Sequence, residues 1–323
     1  MVQEITKDLF RIKVPLPETP LKYLNVYALR SPERSLVIDT GLNHEICLAA
    51  LLEGLKKIAI GPERTDYFIT HLHYDHFGLI TRLAKASTRV YFNRPEAQII
   101  ENWAGFGPML DYFARNGFPL EKLKSALQAH PGSKFGTDWV PPLQMLAEGD
   151  VIRIGDYALK CIETPGHTLG HTCLYEPTRR LFIAGDHILS EITPNIQCWA
   201  EDGNPLEQYL QSLAKVRPYA VDLVLPGHRR LFSGFQERID ELISHHRVRL
   251  DEIMAILEDG PLNAYDVAAR MRWDIRAPNW AAFPVAQQWF ATGEALAHLR
   301  YLGEEGCIQR DLKDRVVQFD RRV

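Results

Sequence analysis

The stretch Phe68–Gly78, FITHLHYDHFG, places three histidines and an aspartate within six positions, directly after a short apolar run. A strand ending at Thr70 would deliver His71, His73, Asp75 and His76 into the loop beyond it. Imidazole nitrogen and carboxylate oxygen suit zinc and other borderline divalent metals. Alternate spacing lets the rings of His71 and His73 point the same way, while the adjacent pair Asp75 and His76 can face a second centre. Any fold for this chain must open that loop at a sheet edge where further ligands can reach it.

Such ligands exist at three other strand ends. His167 follows ETPG, Asp186 ends LFIAGD, and His228 ends VLPGH. Each comes after an apolar strand and a glycine, so loops along one edge of a sheet can converge on a single site. The residues then divide into two metal centres. His71, His73 and His167 hold one ion, Asp75, His76 and His228 the other, and Asp186 bridges them. His171 reads either as a partner behind the ligands or as a plain strand-turn residue, and His187 as a residue turned away. Asn195 and Trp199 read as loop packing or pocket lining.

The pattern around these motifs is layered. Short alternating strands run from Leu9 to Gly41, and helices are expected at 49–57 and 79–85, around the strands DYFIT and RVYF. Residues 95–147 read as short amphipathic helices rich in aromatics, Phe113, Phe135 and Trp139 among them. Strands then return, with a helix at PLEQYLQSLAKV, before a long helix from Phe235, two further helices, and a terminal hairpin around DLKD. The fold class is α/β (α+β), divided into 1–232, carrying the insertion, and a helical, winged-helix-like 233–323.

The 323 residues carry a net charge of −4, so no global field recruits nucleic acid. Five scattered cysteines form no CxxC pair, which excludes a thiolate zinc site and suggests a reducing, cytoplasmic setting. No run of about 18 apolar residues occurs, and no membrane partner is indicated.

HLHYDH, TPGHTLGH, AGDHIL and LPGH, taken in that order, resemble the metallo-β-lactamase superfamily. The resemblance covers residues 1 to about 230. It implies an αββα sandwich with a dinuclear metal site at its edge, and Asp39 in LVIDTG matches the family's early aspartate, which supports the ligand loop. The tail is similar to the winged-helix-like domain that follows this fold in one subgroup, including an animal relative described as a single-strand endoribonuclease. Two divalent ions, Zn2+ foremost with Fe or Mn as alternatives, would lower the pKa of a shared water and give a hydroxide for metal-assisted hydrolysis, with Asp75 and Asp186 closest to the chemistry.

Asp186 distinguishes the chain from true β-lactamases, and HILSEITPNIQCWAEDG lacks the cation that anchors glutathione in hydroxyacylglutathione hydrolases. The leading expectation is a hydrolase of an ester, thioester or lactone, with residues 95–147 read equally as a cap over an apolar group and as plain helix packing. A single-strand endoribonuclease or phosphodiesterase is the runner-up, and a winged-helix DNA-binding regulator comes third. The expected partner is a small-molecule substrate, with single-stranded RNA and a second copy of the chain kept open. Arg229 and Arg230 after the last ligand histidine are read either as receptors for an anionic group or as solvated charges.

Overall fold

The structure, a computed structural model, describes residues 1–129 and 140–322. Phe135 and Trp139 lie outside the described residues. The chain divides into two compact units. The first comprises residues 1–102, 140–194 and 215–238, and the second 103–129, 195–214 and 239–322.

The first unit is built on two sheets. One runs β1 (Val2–Thr6), β2 (Leu9–Pro15), β3 (Tyr23–Leu29), β4 (Ser35–Ile38), β5 (Thr65–Phe68), β6 (Val90–Asn93) and β7 (Leu143–Leu146), in sequence order across the sheet. Its first four strands pair antiparallel and its last four parallel. The other holds β8 (Val151–Ile154), β9 (Tyr157–Glu163), β10 (Thr172–Glu176), β11 (Leu181–Gly185) and β12 (Leu223–Pro226), in the order β12-β11-β10-β9-β8.

Alternation along the strands decides which face meets which. Leu9, Tyr27, Leu36, Ile38 and Phe68 of the first sheet pack against Leu159, Leu174, Ile183 and Leu225 of the second, and all are buried. The intervening residues Ile12, Val26, Val37 and Tyr67 face the other way, onto Leu51 and Leu55 of α1 (Glu45–Lys57) and onto Ile80, Leu83 and Ala97. Phe182 on the outer face of the second sheet meets Phe235, ring centroids 4.9 Å apart. The layers are those of an αββα sandwich.

Several elements differ from expectation. The first helix begins at Glu45 rather than near 49, because His44 caps it by accepting from the Ile46 N–H. A short helix, α2 (Tyr74–Phe77), forms within the histidine cluster, and the helix expected at 79–85 is the shorter α3 (Ile80–Leu83). Asp75 and His76 therefore stand on a helical turn rather than a loop, with the His76 and Phe77 N–H groups both donating to the His73 carbonyl at 2.9 Å. The aromatic insertion opens with α4 (Arg94–Glu101), α5 (Gly107–Arg115) and α6 (Leu120–Ala129), and closes with a strand, β7, rather than a helix.

The second unit contains α5, α6 and most of α7 (Pro205–Val216) and α8 (Phe235–Ile256), with α9 (Ala264–Arg270), α10 (Val285–Glu304) and the hairpin β13 (Ile308–Lys313) to β14 (Val316–Arg321). The hairpin turn is Asp314-Arg315 rather than Asp311–Asp314. Both turn residues have positive φ, 51° and 67°, and the ladder runs unbroken to the Lys313–Val316 pair. Phe113 is fully buried against Phe118, Trp199 and Trp289, with ring centroids 5.5–6.2 Å apart, so it belongs to this unit's packing. Trp103, by contrast, is 54% exposed. Among the described residues no helix is long and apolar enough to cross a membrane.

Candidate metal centre

Every sequence-predicted ligand sits where a strand of the first unit ends. His71 and His73 follow β5, Asp75 and His76 stand on α2, His167 follows β9, Asp186 follows β11, and His228 follows β12. The seven come together. Three groups each bring ligand atoms within 4.8 Å of one another: His71, His73 and His167; His71, His76 and Asp186; Asp75, His76 and His228. Asp186 lies between the clusters, 3.6 Å from His76 Nε2, 3.7 Å from His167 Nε2 and 3.4 Å from His228 Nε2.

Three of the rings are oriented from behind. His76 Nδ1 is 2.8 Å from Asp39 Oδ2, and His228 Nδ1 is 3.1 Å from the Tyr23 carbonyl. Both acceptors require Nδ1 to carry the proton, which leaves the Nε2 lone pair for a ligand. His71 Nδ1 lies 3.0 Å from Thr70 Oγ1. His73 departs from the set by turning Nδ1 inward, 3.0 Å from His167 Nε2. The alternate spacing of His71 and His73 does not reveal that difference.

Asp39 does what the resemblance implied and more. Its Oδ1 accepts from the Thr70 N–H at 2.8 Å while Oδ2 takes His76, so one carboxylate fixes the start and end of the HLHYDH segment. It holds a φ of 62°, a left-handed conformation costing roughly 1–3 kcal/mol. His171 resolves as a partner behind the ligands. Its Nε2 accepts from the Asp186 N–H at 3.1 Å, and its Nδ1 lies 2.8 Å from Thr164 Oγ1.

Two supports escaped the sequence reading. Glu96 is buried; Oε1 accepts from the Gly170 N–H at 3.2 Å, Oε2 accepts from Asn93 Nδ2 at 3.0 Å, and the nearby Leu72 N–H favours the charged carboxylate. It therefore ties the His71–His73 segment to the His167 loop. The signal was the spacing Asn93-x-x-Glu96, which reads as an ordinary helix cap. Asn93 does cap α4, accepting from the Glu96 N–H at 2.9 Å, and Glu96 Oε2 accepts back from Asn93 Nδ2 at 3.0 Å while Oε1 reaches the His167 loop. Gly170 must be glycine there, since a Cβ would run into the Asn93 side chain. The second support is a clamp from β3. Asn25 donates to the Pro226 and Arg229 carbonyls, both at 3.0 Å, and Tyr27 OH donates to Pro226 at 2.7 Å, which seats the His228 loop. Gly227 lets that loop approach, because a Cβ would come within 2.6 Å of Asp186 Oδ1.

Charge at the site is arranged for a cation. Burial alone would lower His228 and His76, yet Asp186 and Asp75 raise His228 to about 10, and Asp39 with Asp186 raises His76 well above its usual value. Burial would raise Asp75, but His76 and His228 bring it down to about 2. His71 and His73, deep among other imidazoles, are lowered by burial first, His73 to about 3. His71 Nε2, His76 Nε2, His228 Nε2 and Asp186 Oδ1 are buried without a hydrogen-bond partner. A buried polar atom left unmade costs about 1–3 kcal/mol, and four converging on one spot fit bound divalent metal.

The chain matches the Metallo-beta-lactamase superfamily over residues 20–228, and the Metallo-beta-lactamase-like, C-terminal domain over residues 250–322. The chain belongs to the metallo-β-lactamase superfamily. As a member it is a metal-dependent hydrolase. A metallo-beta-lactamase family protein from Thermus thermophilus superimposes with a TM-score of 0.83 at 27% identity, covering 99% of this chain and 100% of that one. An uncharacterized protein of Aquifex aeolicus is 28% identical over 66% of this chain and 87% of its own length. The acyl-coenzyme A thioesterase MBLAC2 of Homo sapiens is 25% identical over 69% of this chain and 78% of its own. In this superfamily member, Arg230 pairs with Glu191 at 2.9 Å on the surface, while Arg229 adopts φ 68° and gives its carbonyl to the β3 clamp.

Proposed function

We propose that the protein is a dinuclear metal-dependent hydrolase acting on an ester, thioester or lactone, with a thioester the foremost substrate. The observation that carries this reading is the convergence of seven ligand side chains, four of whose buried ligand atoms have no hydrogen-bond partner, with Asp186 beside both clusters. His71, His73 and His167 would hold one ion; Asp75, His76 and His228 the other; Asp186 both. Divalent ions held there, zinc suiting the imidazole-rich set best, supply Lewis acidity and bring the pKa of water towards neutrality.

The chain's own residues do the rest. Asp39 and the Tyr23 carbonyl keep the protons of His76 and His228 on Nδ1, so neither ring turns away from the centre. Asp75 and Asp186, held ionised beside those imidazoles, are placed to accept a proton at a carboxylate oxygen during hydrolysis. Similarity to a thioesterase supports the acyl class. The finer organisation proposed is a catalytic segment to residue 232 and a winged-helix-like tail from 233. A cytoplasmic setting is proposed from Cys47, Cys161, Cys173, Cys198 and Cys307, all unpaired.

The test compares hydrolysis of a medium-chain acyl thioester with cleavage of single-stranded RNA across ionic strengths. Thioester turnover that a chelator abolishes and salt barely changes is expected. Steeply salt-sensitive RNA cleavage with negligible thioester turnover would instead make the protein a nuclease.

A further inference from the structure

The second unit holds a cavity of about 410 Å³ that has no part in the metal chemistry. This lies within the size range of small-molecule sites, about 300–1,000 Å³. Its floor is apolar: Leu296, Leu299, Ile308 and Phe319 are each no more than 6% exposed. Its rim is cationic, carrying Arg300, Arg310 and Arg322 against the single lining carboxylate of Glu304.

The ion pairing around the rim leaves positive charge over. Arg300 bonds Glu304 at 2.6 Å. The Glu201 carboxylate serves three guanidiniums, Arg310 at 2.8 Å and both Arg115 and Arg300 at 3.8 Å. Arg322 lies at the end of the hairpin and makes no ion pair among those of the described residues. Four arginines against two glutamates leave an excess of two positive charges, in a chain whose total is −4. Guanidinium groups bind planar anions through paired N–H donors, and they do so best where an apolar wall excludes water.

We propose that this cavity binds an organic anion, a carboxylate or phosphate head on an apolar body, with Arg310 and Arg322 at the head and Leu299, Ile308 and Phe319 along the body. None of the residues lining it is a proposed metal ligand, and binding there does not depend on the reaction assigned to the metal centre. The two head groups share their chemistry, so the experiment carries both.

The intact metal-loaded protein is titrated calorimetrically with octanoate and octyl phosphate, with octanol and inorganic phosphate as the apolar-only and anion-only controls. One or both amphipathic anions should bind at least about tenfold more tightly than either control. Arg310→Gln and Arg322→Gln should each weaken that binding by about tenfold, the loss expected for one charge-assisted contact. Arg322→Gln removes an exposed side chain that supports no other element, and unchanged thermal unfolding confirms that it folds. Arg64→Gln, on the first unit, should bind as wild type does. Octanol binding as well as octanoate would overturn the proposal. So would amphipathic binding that neither arginine substitution alters, because the anion would then be seated elsewhere.

Discussion

Among the described residues two groups of buried histidines contrast, and one of them has the arrangement that suits a metal. In the first unit, His76 and His228 are fixed through Nδ1 and turn Nε2 towards Asp75 and Asp186, which raise both. In the second, His298 Nδ1 donates to the Glu294 carbonyl at 2.8 Å, and His246 Nδ1 lies 3.0 Å from His298 Nε2, so the two rings bond each other. Burial lowers both, His298 to about 3, with Arg249 adding to the effect. The neighbours make the difference. Carboxylates across from free nitrogens create a cation site, whereas a guanidinium beside two mutually bonded imidazoles makes a neutral structural pair.

Substitutions at the two sites should separate them sharply. Asp186→Asn removes the charge between the ligand clusters, and turnover should fall well over tenfold with loss of bound metal. His298→Asn should lower the unfolding temperature while metal content and kcat per folded chain stay at wild-type values. Elemental analysis of both variants alongside kinetics checks this, and metal loss in His298→Asn would break the distinction.

Glu96→Gln probes the supports behind the ligands. The amide keeps the volume but loses the charge and turns one of the two oxygens that accept from the Gly170 N–H and Asn93 Nδ2 into a donor. Metal affinity should drop about tenfold, at the lower end of what such outer partners contribute, with the fold intact. Competition with a chelator of known affinity measures it.

The smallest effect belongs to the second unit. Burial raises the Glu294 carboxyl from 4.5 to about 7, with Arg249 only partly offsetting it. The folded state therefore holds its proton more tightly than the unfolded chain. That contribution is fully present below about 4.5 and is lost as pH rises through about 7. Glu294→Gln should flatten the decline in stability across this window, as followed by chemical denaturation at several pH values.

The proposed metal ligands were legible because HLHYDH follows an apolar strand and His167, Asp186 and His228 each follow an apolar strand and a glycine that marks the exit into a loop. Their supports were harder to read. The Asn25 and Tyr27 clamp acts over about 200 positions of chain, a separation no local pattern encodes. Glu96 looked like half of a helix cap because its neighbour is one. Residues 95–147 read equally as a substrate cap or as plain packing, because aromatic character alone does not distinguish the two, and Phe113, fully buried against Phe118, Trp199 and Trp289, belongs to the packing. The turn was misplaced by a few residues because Asp311, Leu312 and Lys313 are all exposed and two of them charged, although they form a regular ladder.

The central claim is that seven side chains make one two-metal site. Counting metal per folded chain in wild type and in His228→Ala tests it most directly. The account predicts two ions per chain in the wild type and a loss of about one in the variant, with His71, His73 and His167 keeping theirs. A fully loaded wild type with a single ion, and a His228→Ala variant that holds the same single ion with the same affinity, would contradict it.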